Sequence, residues 1–434
     1  MQRSLFSAVS GLRNHQTRMD VIGNNIANVN TTAFKSGRAT FKESFSQVLT
    51  GASRPVIGQG GVNPLEVGMG MQLASIDTVF TQGNLETTGV TTDMAVQGNS
   101  FFVVGQGNQS FYTRAGNFQL DADGRLVSPT NGFVVQGRMA TNGVLNGAVT
   151  DIMLPAGQTA PAKATTKTSI SGNLDSSAPV ITAANLATPT DAELAAPENA
   201  ASVTETSKAV YDSLGVTHDV TMTAWKVAPN KWDFKLSLAP DTAGGTPTSL
   251  GTGAFVFKSD GTLDTAASSM PAVTFTPTGN AAAVTIKLDP GAGSTGVTSF
   301  ASRNTALLRD QDGYTAGTLD RITVGRDGTI VGAFSNGTNQ SLAQVALADF
   351  NNPEGLERAG DNMYTLSANS GSPVIGYSGR ETSSTIASGA LEMSNVDLAQ
   401  EFTQMIITQR GFQANGKMIT TSDEMLQNLI DMKR

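Results

Sequence analysis

Apolar residues recur every seven positions in two segments, one at each end of the chain. The repeat in residues 1–34 and in residues 391–434 predicts two long helices. The repeating residues of the first segment are Leu5, Leu12, Met19 and Ile26, with Val9 and Ile22 between them. Those of the second segment are Leu391, Leu398, Met405, Phe412, Ile419 and Leu426, supported by Phe402, Leu429 and Ile430. Because a seven-residue stripe forms a narrow seam that needs a partner helix, we expect a coiled coil.

Two interpretations of these stripes stay open. An apolar stripe is usually the core-facing side of an ordinary globular helix. The second stripe, however, extends over about 40 residues, beyond the usual 8–20, and polar residues such as Gln16 and Gln409 interrupt both seams. Such seams pack weakly as a solitary pair, which favours burial shared among many copies. The predicted assembly interface comprises Leu5, Val9, Leu12, Met19, Ile22, Ile26, Leu398, Phe402, Met405, Phe412, Ile419, Leu426 and Ile430.

Between the two stripes the pattern changes to short strands bounded by turns. Three Asp-Gly pairs stand between apolar runs, at residues 123–124, 260–261 and 327–328, and each predicts a tight hairpin. The first of them, with Asp121 nearby, faintly resembles a calcium loop. That motif needs a further acidic or Asn ligand before the glycine and a later Glu, so we favour the hairpin.

The predicted class is α+β, with nested β-rich domains between the terminal helices. Residues 35–75 form a Gly/Asn-rich connecting segment, and residues 76–167 and 306–390 form a middle β domain. Residues 168–305 form an inserted outer β domain. The Ala/Thr-rich composition of this insertion could indicate disorder, but apolar residues alternate on both arms of a hairpin at 216–238.

Composition agrees with a structural role. Only 15% of the 434 residues are charged, against about 25% in a typical globular chain, and 46 are glycine. The net charge is −8 without any Lys/Arg run, so nucleic acid is an unexpected partner. No apolar run is long enough to cross a membrane. The N-terminal segment is no convincing signal peptide, so we expect export, if any, without a cleaved leader.

The search for chemistry predicts no catalytic, cofactor-binding or metal-binding residue. The two histidines, His15 and His218, fall in different predicted domains, and there is no cysteine. Metal sites and nucleophilic triads therefore lack parts. The Gly105-Gln106-Gly107 pair lacks the third glycine of a dinucleotide site. Paired carboxylates for glycoside hydrolysis stay open, yet the expectation is that the chain is not an enzyme.

Three stretches carry a resemblance to a known family. Residues 4–35 and 394–432 resemble the N- and C-terminal signatures of the bacterial flagellar axial proteins, the rod, hook and hook-associated family. Residues 93–127, which begin DMAVQGNSFFVV, resemble the β domain shared by the distal rod and the hook. The residues of the N-terminal motif are Asn24, Asn25, Ala27, Asn28, Asn30 and Phe34.

The middle of the chain narrows the resemblance. Residues 210–234 and 342–364 resemble stretches of hook subunits, and a distal rod subunit would be far shorter. This resemblance implies a homopolymer: a curved extracellular tube that joins rod to filament and transmits torque. It also implies export by the flagellar type III apparatus and contacts with the distal rod protein, the hook cap and the hook–filament junction proteins. The alternatives are another flagellar axial subunit, such as a rod subunit with an outer insertion, or a non-flagellar β-rich adhesin.

Overall fold

A computed structural model describes residues 2–55, 57, 60–107, 109–141, 143–155, 157–239, 247–277, 281–291, 293–379 and 381–432. Gly58 of the predicted connecting segment and residues 1, 433 and 434 of the predicted terminal segments lie outside the described residues. The chain divides into two compact units. The first comprises Met1–Ala156, Arg321–Ala333 and Asn339–Arg434, and the second comprises Gly157–Asp320 and Phe334–Thr338.

The chain is mostly β, with a long helix near each end. The helices are α1 (Gln2–Ala27), the single turn α2 (Asp191–Leu194) and α3 (Leu398–Asp431). The first strands are β1 (Gly37–Glu43), β2 (Ser46–Thr50), β3 (Leu65–Gly68), β4 (Met71–Thr78), β5 (Leu85–Thr87), β6 (Met94–Gln97), β7 (Phe101–Gln106), β8 (Gln109–Thr113), β9 (Gln119–Leu120), β10 (Leu126–Val127), β11 (Val134–Thr141), β12 (Val144–Leu145) and β13 (Thr150–Asp151).

The later strands follow in chain order. They are β14 (Thr159–Ala160), β15 (Lys167–Asn173), β16 (Val203–Tyr211), β17 (Thr217–Ala228), β18 (Lys231–Leu238), β19 (Thr248–Val256), β20 (Val273–Phe275), β21 (Val284–Asp289), β22 (Val297–Thr298), β23 (Leu307–Gln311), β24 (Gly317–Val324), β25 (Thr329–Phe334), β26 (Asn339–Val345), β27 (Leu347–Asp349), β28 (Glu357–Gly360), β29 (Met363–Thr365), β30 (Val374–Gly376), β31 (Thr385–Ser388) and β32 (Ala390–Glu392).

The C-terminal helix begins later than its apolar repeat predicts. The prediction of helix from residue 391 is wrong for residues 391–397, because Leu391 lies in β32, which pairs with β5. Asp397 is the N-cap of α3, and its side chain accepts hydrogen bonds from the backbone N–H groups of Ala399 (2.8 Å) and Gln400 (3.2 Å). A carboxylate at this position satisfies donors that have no partner inside the helix and fixes where the helix begins.

The predicted connecting segment contains paired strands. Strand β1 pairs antiparallel with β4, from Gly37 opposite Thr78 to Glu43 opposite Met71. Farther out, β2 pairs antiparallel with β3. Every residue of β2 and β3 is exposed. Strands β1 to β4 thus form a long interrupted hairpin whose outer part, β2 and β3, has an uncovered surface.

The main sheet of the first unit has the strand order β25–β26–β11–β7–β8–β29–β28. Its core is rich in aromatic residues, because Phe101 on β7 packs edge-on against Phe80 (5.5 Å between centroids) and Phe350 (5.5 Å). Tyr112 on β8 lies 4.8 Å from Phe350. Strands β7, β8 and β11 are among the short strands that the sequence pattern predicts between the two apolar stripes.

All three Asp-Gly pairs form turns between paired segments. The glycines Gly124, Gly261 and Gly328 have φ values of 80°, 79° and 75°, a region where a side chain is strained. At the first turn, Leu126 lies opposite Leu120 in the β9–β10 pair. The Asp121 carboxylate accepts the backbone N–H groups of the turn at 2.7 and 3.0 Å. The predicted hairpin at Asp123-Gly124 is therefore confirmed.

The second unit contains two sheets that share a large apolar core, and a smaller cluster around Trp225 lies beside it. One sheet has the order β16–β17–β18–β19; the other has the order β20–β21–β15–β22, with β23 also on β15. The hairpin predicted at 216–238 is β17–β18, with Asn230 in the turn at φ 59°. Side chains from both sheets, including Trp232, Phe234 and Ile286, share the core. The predicted boundaries 76–167, 168–305 and 306–390 stay a prediction.

The entering and leaving strands of the second unit are joined by a carboxylate. Asp312 accepts hydrogen bonds from the backbone N–H groups of Thr166 (2.8 Å) and Lys167 (2.9 Å) and from the Thr166 hydroxyl (2.6 Å). The Lys163 Nζ atom lies 3.3 Å from its second oxygen. Partial burial alone would raise the pKa of Asp312, but these hydrogen bonds outweigh it and lower the pKa to about 2. The hydrogen bonds of the folded state therefore stabilise the charged form of the Asp312 side chain relative to the unfolded chain.

We predict that Asp312→Asn destabilises the second unit by about 1 kcal/mol at neutral pH, a value reduced because the Asp312 side chain is 33% exposed. Since the folded pKa is depressed, the contribution is present above pH 3.8 and is lost as the pH falls through about 2. Both tryptophans, Trp225 and Trp232, lie in the second unit, so urea unfolding followed by tryptophan fluorescence measures it.

The exposed neighbour Asp310→Asn is the matched control, and it should change this stability little. Equal losses for Asp310→Asn and Asp312→Asn, or parallel stability–pH profiles for Asp312→Asn and the unchanged chain, would contradict the role of the Asp312 carboxylate.

Candidate assembly interface

Helices α1 and α3 lie side by side in the first unit and run antiparallel. The Arg18 guanidinium donates to the Gln404 amide oxygen at 3.3 Å. Seven residues further along α1, the Asn25 amide donates to the Glu401 carboxylate at 3.0 Å. Because residue numbers rise along α1 while they fall along α3, the two helices point in opposite directions.

Strands β1 and β4 of the interrupted hairpin also pack against α1. The Asn14 amide donates to the Met71 carbonyl at 2.7 Å. Asn25 is 2% exposed and exchanges two hydrogen bonds with the backbone of Gly37, accepting at 2.9 Å and donating at 2.8 Å. Helix α1 therefore packs against both β1–β4 and α3, and Asn25 contacts both neighbours.

The predicted interface residues of α1 are at least partly covered. Ile22 is 2% exposed, and the half-buried residues are Leu5, Val9, Leu12, Met19 and Ile26. On α3 the predicted residues divide into two groups. Met405, Ile419 and Leu426 are half-buried. Leu398, Phe402, Phe412 and Ile430 are exposed by 37–66%.

The distribution of polarity on α3 is the reverse of that in an ordinary globular helix. Its two buried residues among those described are Thr408 and Ser422. Nine of its large apolar side chains stay 37–66% exposed while α1 is in place; beyond the four already named they are Ile406, Ile407, Met418, Met425 and Leu429. We call these nine residues the exposed α3 surface. Large apolar residues exposed in this number on one helix are candidates for contact with other molecules.

The N-terminal motif residues have distinct structural positions. Asn24 and Asn28 end α1, because the Asn28 amide donates to the Asn24 carbonyl (3.0 Å) and side-chain oxygen (2.6 Å). Phe34 is buried beneath the Arg358 guanidinium, 5.5 Å from the ring centroid. Ala27 and Asn30 are exposed. The motif therefore fixes the exit of the chain from α1.

A charged cluster is buried directly after this motif. The Lys35 Nζ atom lies 2.6 Å from the Glu392 carboxylate, and both side chains are 0% exposed. Lys35 also donates to the Thr81 carbonyl at 2.8 Å, and Glu392 accepts the backbone N–H of Gly83 at 2.9 Å. The Arg114 guanidinium lies 3.7 Å from the second Glu392 oxygen.

Burial dominates the electrostatics of this cluster. It lowers the pKa of Lys35, and the Glu392 carboxylate opposes that shift. It lowers the pKa of Arg114 in the same way, again opposed by Glu392. A cluster with two cations and one carboxylate, closed to solvent, joins segments without offering a reactive group.

Four family models match the chain in order. The model described as "Flagella basal body rod protein" matches residues 5–35, and "Flagellar hook protein FlgE/F/G D1 domain" matches residues 95–173. "Flagellar basal body protein FlaE D2 domain" matches residues 173–314, and "Flagellar basal body rod FlgEFG protein C-terminal" matches residues 387–432.

Full-length relatives decide the family. The flagellar hook protein FlgE of Treponema pallidum is 42% identical, with 100% of both chains covered. The flagellar hook protein FlgE of Borreliella burgdorferi is 40% identical, again with 100% of both chains covered. The chain belongs to the flagellar hook protein family. It is a structural protein of the bacterial flagellum, not an enzyme.

The fold agrees with that of a solved hook protein. The crystal structure of Helicobacter pylori flagellar hook protein FlgE2 resembles this hook-family chain with a TM-score of 0.52 at 16% identity. The match covers 71% of this chain and 100% of that one. No helix among the described residues is both long and apolar enough to span a membrane.

Sequence reasoning missed the buried cluster of the hook-family chain. Lys35 and Glu392 are 357 positions apart, and neither stands in a charged run. The sequence signal that could have indicated this cluster is the position of the two residues. Lys35 directly follows the N-terminal motif, and Glu392 precedes α3 by a few residues. A lone charge beside such a motif in a chain with few charges is a candidate for burial.

We predict that Lys35→Met destabilises the first unit by about 3–5 kcal/mol, because it leaves the Glu392 carboxylate buried without its closest partner. The matched control is Arg38→Met, which breaks the exposed Arg38–Asp77 pair and should cost at most about 1 kcal/mol. Thermal loss of the far-UV helical signal measures the first unit, which contains α1 and α3.

Tryptophan fluorescence of the second unit should be unchanged in both variants. An equal loss of helical stability for Lys35→Met and Arg38→Met would show that burial of the Lys35–Glu392 pair adds nothing.

Proposed function

We propose that copies of this hook-family chain polymerise through their terminal helices into the curved tube of the flagellar hook. The observation that carries the proposal is the exposed α3 surface. Its residues remain 37–66% exposed although α1 already occupies one side of the helix. Removing this much apolar surface from water stabilises a complex. A second copy of the chain has the same surface, so the two surfaces can bury each other.

The predicted interface then has two parts. Residues such as Ile22, Met405 and Ile419 support the α1–α3 pair inside one copy, in the manner of a coiled coil. Residues such as Phe402 and Ile430 contact other copies. The helix pair is weak alone, since its buried positions include Thr408 and Ser422. A repeated contact of this kind makes a stiff polymer from individually weak pairs, as torque transmission requires.

The outer part of the interrupted hairpin supplies a second surface for copies. Phe45 is 73% exposed beside β2, and Leu65 on β3 is 57% exposed. Val48 and Leu49 of β2 are also exposed, by 53% and 52%. Exposed strands with apolar side chains and unpaired edges are covered in stable assemblies. In the proposed tube this hairpin contacts a neighbouring copy.

The remaining parts of the proposal come from family membership. We assign the chain to the extracellular hook, between the rod and the filament. Its partners beyond its own copies are then the distal rod protein, the hook cap and the hook–filament junction proteins, with export by the flagellar type III apparatus. The low charge, 15% of residues, suits surfaces that slide past one another during bending without breaking ion pairs.

We predict that Phe402→Asp blocks polymerisation of folded subunits. An unpaired carboxylate in a buried contact costs several kcal/mol, so the concentration needed for polymerisation should rise by about 100-fold. Because Phe402 is 50% exposed in the single chain, the helical signal and the tryptophan fluorescence should be unchanged. Sedimentation and electron microscopy of concentrated protein measure the effect.

The exposed residue Gln413 provides the control, as Gln413→Asp adds the same charge at a helix position whose neighbours one turn away, 409, 410, 416 and 417, lie outside the exposed α3 surface. Normal polymerisation of Phe402→Asp would exclude the exposed α3 surface as the contact between copies. A straight, rigid polymer of the unchanged chain would indicate a rod subunit instead of a hook subunit.

A further prediction concerns removal of the second unit. Lys163 and Tyr314 exchange two backbone hydrogen bonds of 3.0 Å, so the chain enters and leaves at neighbouring positions. Replacing residues 164–313 by a short Gly/Ser linker should leave the first unit folded and able to polymerise. Far-UV circular dichroism and electron microscopy test both expectations, and a misfolded remainder would show that the first unit depends on this segment.

A further inference from the structure

Two glycines allow the terminal helices to approach closely. A Cβ atom built on Gly11 of α1 would lie 2.6 Å from the Asn415 amide nitrogen of α3. A Cβ atom built on Gly411 of α3 would lie 2.8 Å from the His15 Nε2 atom of α1. Real Cβ atoms do not approach other atoms this closely, so each glycine provides a notch for a polar side chain of the other helix.

The two notches are reciprocal and antiparallel. Asn415 of α3 enters the notch at Gly11 of α1. His15, four residues after Gly11 on α1, enters the notch at Gly411, four residues before Asn415 on α3. The same two helices contain other glycines that have no such role. Gly23 on α1 and Gly416 on α3 would meet no described atom within 4 Å of an added Cβ. The close approach of the two helices therefore depends on Gly11 and Gly411 in particular, and not on the number of glycines that the helices contain.

These notches permit only one register. A slip by one seven-residue repeat would move Asn415 from Gly11 to Ser4 or Arg18, where a side chain occupies the space. In the observed register Thr408 is 0% exposed and Ser422 is 2% exposed, so small polar side chains fill the seam. The nine residues of the exposed α3 surface remain outside it. Polar residues at seam positions are a known means of fixing helix register.

We infer that Gly11, Asn415, His15 and Gly411 form a register key that determines which apolar residues of α3 are presented to other copies. The inference rests on the proposed function, because presentation matters only if copies associate through the exposed α3 surface. The key acts before assembly, by selecting one arrangement of α1 and α3 inside each subunit. The apolar stripe alone would not select it, since its repeat is the same in every heptad.

The test compares alanine substitutions at the four glycines in the full-length chain. Gly11→Ala and Gly411→Ala place a methyl group in an occupied notch, and overpacking of this kind should raise the concentration needed for polymerisation about tenfold. Gly23→Ala and Gly416→Ala are the matched controls. They should polymerise as well as the unchanged chain or better, because alanine favours a helix over glycine and has room at both positions.

A compensating substitution separates the key from a general structural defect. Asn415→Ala removes the side chain that fills the Gly11 notch, so Gly11→Ala with Asn415→Ala should polymerise better than Gly11→Ala alone. Equal behaviour of Gly11→Ala and Gly23→Ala would overturn the inference, as would a double variant no better than Gly11→Ala.

The inference can also be tested on the monomer if the proposed function is wrong. Should the unchanged chain not polymerise, the same variants are compared by thermal loss of the helical signal. Gly11→Ala and Gly411→Ala should then melt at a lower temperature than Gly23→Ala and Gly416→Ala. Melting temperatures in the opposite order, or equal ones, would refute the register key independently of any polymer.

Discussion

The ion pair between Lys35 and Glu392 is the constraint on which the first unit depends. It joins the chain just after α1 to the chain just before α3, across 357 residues, with both side chains at 0% exposure. Neighbouring contacts extend the link, since the Ala33 N–H donates to the Glu392 carbonyl at 2.7 Å and Asn395 accepts the Ser36 N–H at 2.8 Å. These contacts hold the end of α1 and the start of α3 next to each other.

From these bases the helices meet along a seam of small and polar residues. Thr408, Ser422 and the glycine notches lie inside, and apolar residues such as Phe402 and Ile407 stay outside. A solitary protein gains nothing from this distribution, because it exposes the area that burial would stabilise. For a subunit of a polymer the distribution is favourable, since the apolar area that stays exposed on one copy can be buried against the next copy. In the proposed assembly, weak pairing inside one copy and strong contacts between copies thus have the same cause.

The sequence predicted periodic and local features well. The α1 helix, the β17–β18 hairpin and the Asp-Gly turns follow from apolar spacing and turn chemistry acting over a few residues. The start of α3 was predicted too early, because Leu391 fits the heptad although it belongs to β32, and Asp397 caps the helix. The Lys35–Glu392 pair was missed since no local pattern relates residues so far apart. The division of α3 into inner and outer residues needed the position of α1.

Charge has a similar role in the second unit. Asp312 joins the entering and leaving strands through bonds to Thr166, Lys167 and Lys163, where a loose connection would separate the two ends. In both units a carboxylate stands where distant parts of the chain must meet, and it is held by several donors. Charged groups of this kind need specific partners, so they tolerate few alternative pairings. Apolar residues tolerate many alternative partners, and in this chain exposed apolar residues lie on the surfaces that copies of it would share.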